Sequence, residues 1–74
     1  MAKKIQSDGI YKVVEIIGSS KISWEDAAKR AVQTAARTLH DLRIAEINKL
    51  DMKVENGKVV AYRAKVSLSF KYQA

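Results

Sequence analysis

A chain of 74 residues makes one domain, spanning 1–74, close to the lower limit at which a hydrophobic core alone keeps a fold together. Cysteine is absent and His40 is the single histidine, which excludes disulfide staples, thiolate-held zinc or iron–sulfur clusters and histidine-rich metal sites. The formal charge of +6 admits an anionic partner, but the basic residues are scattered with no arginine stripe between aromatics, so nucleic-acid binding is the weaker reading.

Proline is absent and glycines number three, a composition unlike that of a linker-rich or disordered chain. Residues 1–8 carry Lys3 and Lys4 without the apolar stretch of a signal peptide, and are expected to form a flexible tail. No apolar run approaches a membrane span, so the expected location is the bacterial or archaeal cytoplasm. Subunit association is then the staple that remains, with oxygen-ligated calcium or magnesium as an addition.

Ile10–Ile17, IYKVVEII, is rich enough in β-branched residues to predict a strand, which Gly18, Ser19 and Ser20 are expected to end. Ser23 opens a helix: its hydroxyl can accept from the Asp26 amide, and Glu25 and Asp26 put negative charge in the first turn. Apolar residues then recur at helical spacing from Trp24 to about Leu42, through Ala28, Ala31, Val32, Ala35 and Leu39. A stripe made mostly of alanine lets the helix approach whatever it packs on.

Asn56-Gly57 is the strongest hairpin signal in the chain, flanked by Arg43–Glu55 and Lys58–Tyr72. The last strand alternates, with Val60, Tyr62, Ala64, Val66, Leu68, Phe70 and Tyr72 on one face. Its partner does not keep one phase. Ala45 and Ile47 share a face, whereas Leu50, Met52 and Val54 fall on the other, which predicts a bulge or bend near Asn48-Lys49. A two-residue turn pairs Val54 with Val59, Met52 with Ala61, Leu50 with Arg63, Ile47 with Val66 and Ala45 with Leu68. One helix covers one face only, so Leu50, Met52, Val54 and Val59 are expected to form an exposed association surface.

The α+β order β-α-β-β, with a three-stranded antiparallel sheet wrapped on one helix, resembles the dodecin family. The likeness is carried by YKVVEIIGSS at Tyr11–Ser20, SWEDAAKRAV at Ser23–Val32, TLHDLRIAEI at Thr38–Ile47 and AYRAKVSLSFK at Ala61–Lys71. It implies a closed, hollow homo-dodecamer. Many dodecins store flavin (FMN or riboflavin) between tryptophans at the start of the second strand, with a glutamine of the third strand bonding the ring edge. Those positions fall on Ile44, beside Arg43, and on Arg63. Isoleucine has no π face for stacking, so tight flavin binding is not implied. Leu42–Ala45, Leu50–Met52 and Tyr62-Arg63 are similar instead to a flavin-less branch that includes calcium dodecins.

Among single residues, His40 is expected to be exposed at the helix end, where its charged form would suit the dipole. Asp51 and Asp41 are the first candidates for calcium, although no EF-hand loop is present and the site would have to form between subunits. Arg63, expected on a face shared with Leu50 and Met52, reads as an ion pair between subunits with Glu46 or Asp51, or as an anion-binding group. No catalytic constellation is found, and an enzyme is not expected. The function read from the sequence is a non-catalytic homo-oligomer that binds or stores a small anionic ligand or an ion. A purely structural shell and flavin storage in a non-standard pocket are the alternatives.

Overall fold

A computed structural model describes residues 9–72; the expected tail over 1–8 lies outside them. Strand β1 covers Tyr11–Ser20, helix α1 Trp24–Ala35, strand β2 Leu42–Glu55 and strand β3 Lys58–Lys71. The sheet order is β1-β3-β2, antiparallel throughout. Central β3 is flanked on both sides, and its Ala64, Val66 and Leu68 are fully buried with Ala27 and Ala31 of α1. Val14 and Ile16 of β1 pack around them.

The first strand does not stop at Gly18. It runs on to Ser20, pairing Gly18 with Ala64 and Ser20 with Tyr62, because Gly18 is where α1 lies closest. A Cβ there would sit 2.1 Å from the Ala27 carbonyl oxygen. The buried hydroxyl of Ser20 then accepts from the Ile22 amide at 2.9 Å and donates to Asp26 at 2.6 Å. Ser23 caps the helix as expected, accepting from the Asp26 amide at 3.0 Å.

The helix ends at Ala35, well short of Leu42. Beyond it the amides of Thr38 and Leu39 both return to the Ala35 carbonyl, at 3.1 and 2.9 Å, and Asp41 turns the chain with a φ of 59°. Leu39 in the turn and Leu42 at the start of β2 still pack on the core, so their apolar spacing continues the helical pattern past the end of the helix. His40 is exposed in that turn rather than on the last helical turn, outside the reach of the dipole.

At the hairpin, Asn56 and Gly57 have φ of 52° and 76°, the left-handed pair that a type I′ turn needs. Val54 faces Val59, but Val60 then drops out of the ladder, so Met52 faces Tyr62, Asp51 faces Arg63 and Leu50 faces Ala64. The expected pairs Met52–Ala61 and Leu50–Arg63 are therefore one residue out. A second irregularity, between Ile47 and Lys49, leaves Asn48 as the extra residue and restores Ile47–Val66 and Ala45–Leu68.

Cross-strand partners share a face. Ala45, Ile47, Leu50 and Met52 consequently all lie on the helix side, opposite Leu68, Val66, Ala64 and Tyr62. Leu50 and Met52, expected on the other face, are brought to this one by two successive outward residues at the bulge. They remain exposed for a different reason. A helix of 12 residues is about 18 Å long, whereas strands of 14 residues run to about 46 Å. The hairpin projects past the helix as an arm, and the molecule measures 58 × 20 × 16 Å.

Candidate functional site

The arm carries two unlike surfaces. On the helix side Ile47, Leu50 and Met52 are 46%, 50% and 45% exposed, and Val54 and Val59 at the tip 57% and 49%. Trp24 sits where helix meets arm. Its ring edge meets Tyr62 with centroids 5.3 Å apart at 72°, a favoured aromatic geometry. Its indole Nε1 donates to the Asp51 carbonyl at 3.0 Å. A notch of about 380 Å³ lined by Trp24, Glu25, Ala28, Ile47 and Leu50 opens beside it.

The opposite face of the sheet is polar. Arg63 grips Asp51 across the strands with two parallel bonds, Nε to Oδ1 at 2.7 Å and Nη2 to Oδ2 at 2.8 Å. The guanidinium holds the Asp51 carboxyl below its ordinary pKa, chiefly through these bonds, and Asp51 in turn raises that of Arg63. Arg63 thus lies on the face away from Leu50 and Met52, and its acid is found within the chain. This corrects the expected apolar surroundings. Further along, Asn48 bonds both Ser67 and Glu15, and Glu15 lies 3.7 Å from Lys65.

Ile44 is 60% exposed and shares a row with Val13 on either side of Ser69. Arg63 lies further along β3, about 20 Å from Ser69 at the rise of a strand, so one chain does not bring together the two positions that the family resemblance assigns to a flavin pocket. Arg43 is the extra residue between the paired Leu42 and Ile44, and its guanidinium is 4.0 Å from Asp41. Asp41 precedes β2 and Asp51 lies near its far end, about 30 Å apart. Among the described residues no three acidic or histidine side chains gather as a metal-binding group.

Sequence reasoning missed three features of this region: the Asn48 contacts, the Trp24 bond to Asp51, and Ala27 as the deepest helix residue. Only the first had a legible signal, the phase change in β2.

A family model for dodecins matches residues 10–73. The chain belongs to the dodecin family. The calcium dodecin of Mycobacterium tuberculosis is 45% identical over 62 residues, 84% of this chain and 87% of that one. The crystal structure of that calcium-chelating protein, which has a calcium-binding site of its own, superposes with a TM-score of 0.78 over 88% of this chain and 93% of its own. Dodecin from Streptomyces coelicolor, 28% identical, superposes with a TM-score of 0.84 over 92% of this chain and 97% of its own. A mutant of Thermus thermophilus dodecin at 26% identity gives 0.80 over 88% and 96%. The β-α-β-β subunit with its antiparallel sheet is therefore the dodecin fold. Among the described residues no helix is long and apolar enough to cross a membrane.

Proposed function

We propose that the chain works as a closed homo-dodecamer in the cytoplasm, a non-catalytic shell that binds a small ligand or ion, calcium ahead of flavin. The observation that carries this reading is the mismatch between core and surface. Among the described residues the large, fully buried side chains are Val66 and Leu68, while twelve large hydrophobics are exposed. The radius of gyration is 15.6 Å, against about 11 Å for a compact domain of this length. Such a chain gains its missing burial from copies of itself.

The ligand preference follows from the pocket positions. Ile44 offers no ring for stacking, and both donor edges of Arg63 used here are committed to Asp51. The kinship with a calcium-chelating dodecin supports calcium. Calcium takes six to eight oxygens, no three acidic side chains gather among the described residues of one chain, and the Asp51 oxygens already accept from Arg63. A site would therefore combine Asp41 or Asp51 with carbonyls or with the same residues of neighbouring subunits.

Native mass spectrometry with calcium and with EDTA tests the reading directly. A twelve-chain particle that carries calcium and melts higher with it is expected, since binding to the assembled state stabilises by mass action. A monomer, or a particle with no calcium mass and no shift in melting at millimolar calcium, would overturn it. Riboflavin titration should give only weak binding, because each lost stacking contact costs about 1–3 kcal/mol; Ile44→Trp with Arg63→Gln should restore part of it. A submicromolar dissociation constant in the parent protein would sink the flavin half.

A further inference from the structure

Asparagine is a poor strand former, yet Asn48 sits inside β2 where the strand turns two successive residues outward. Its Nδ2 donates to the Ser67 hydroxyl at 2.5 Å and to Glu15 Oε2 at 3.2 Å, so one side chain ties β2 to β3 and β1 together. Lys65 approaches the other oxygen of Glu15 at 3.7 Å. A bulge bends its strand and increases the local twist. This bulge lies beside Ile47 and Leu50, which line the notch against Trp24 and Ala28, the point where the arm leaves the helix.

We infer that the Asn48 clamp positions the association surface: it fixes where β2 bends, and so how the arm's apolar side chains meet a second copy of this chain. The inference rests on the assembly proposed above. The clamp lies wholly on the polar face and adds no apolar area. Its influence on assembly would act through the path of β2 and the placement of Leu50 and Met52. Face alternation alone does not require it. With Asn48 deleted, Ile47, Leu50 and Met52 would still fall on the helix side in an uninterrupted alternation, so the deletion removes the bend while leaving the core pattern intact.

Sedimentation velocity of the full chain over a concentration series, with Asn48 deleted and separately as Asn48→Leu, tests this. Each variant should keep the parental circular dichroism and Trp24 emission, yet need roughly tenfold more protein to assemble. Lys49→Ala, which changes the other outward residue, should assemble like the parent. Folded Asn48 variants that assemble at parental concentrations would overturn the inference and leave the proposed assembly standing. A parent protein that sediments as a monomer would overturn the assembly, and this inference with it.

Discussion

Replacing Gly18 by alanine should destabilise the protein more than any other single-methyl change in β1. The added Cβ would meet the Ala27 carbonyl oxygen at 2.1 Å and the Ala31 Cβ at 2.9 Å, where ordinary contact begins near 3.4 Å. The nearest obstacle is helix backbone, which no rotamer change removes. Either α1 lifts from β1 or the strand bows away, and in both cases Ala27 and Ala31 leave the core they now close. Overpacking of this kind costs about 1–3 kcal/mol. A loss of 2 kcal/mol lowers the melting temperature of a domain this size by roughly 8–16 °C. Melting followed by circular dichroism at one fixed protein concentration is the assay, because association makes the midpoint concentration-dependent. Ser19→Ala, at the exposed neighbour, is the control. Adding Ala31→Gly to the variant should rescue little, since it leaves the carbonyl in place. A Gly18→Ala midpoint close to that of the parent would refute the close approach of helix to strand.

Three further outcomes are expected. Met52→Asp should dissociate the particle and lower its melting temperature together, because a lone carboxylate placed in an apolar interface costs several kcal/mol; a mass unchanged by light scattering would refute the placement of that interface. Trp24→Phe keeps an aromatic edge for Tyr62 but loses the bond to the Asp51 carbonyl, and should cost about 0.5–1.5 kcal/mol in denaturant melts, with no loss counting against the bond. Asp26 is held below its ordinary pKa first by the Ser20 hydroxyl and then by Arg30, and Asp51 by Arg63. The stability these two groups add is therefore present above the ordinary carboxylate pKa of about 3.9 and disappears as pH falls through their lower folded values. Asp26→Asn with Asp51→Asn should flatten the acid limb of a stability-against-pH curve, and salt should shrink the difference mainly through Asp51, which is exposed, and less through the half-buried Asp26; an unchanged acid limb would show that neither pairing matters in solution.

Local chemistry carried much of the architecture into the amino-acid sequence. Ser23 capping Asp26, the left-handed Asn56-Gly57 turn and the alternation through Ala64, Val66 and Leu68 each depend on neighbours a few residues apart, and each was legible. The interruption of β2 near Asn48 was legible too, because the apolar phase breaks there. Its consequence was not. A phase break does not say which residue leaves the ladder, and a second slip at Val60 moved Met52 and Leu50 by one partner, bringing them to the helix side and turning Arg63 toward Asp51. The end of α1 was hidden for a similar reason, since Leu39 from a turn and Leu42 from the start of β2 pack on the core at the spacing a helix would give them. Gly18 looked like a strand terminator because nothing nearby in sequence reveals that the Ala27 carbonyl lies against it. Short-range hydrogen bonds and alternation follow from adjacent residues, whereas register, face and the separation of Asp41 from Asp51 depend on how distant segments pack, and only the tertiary structure decided those.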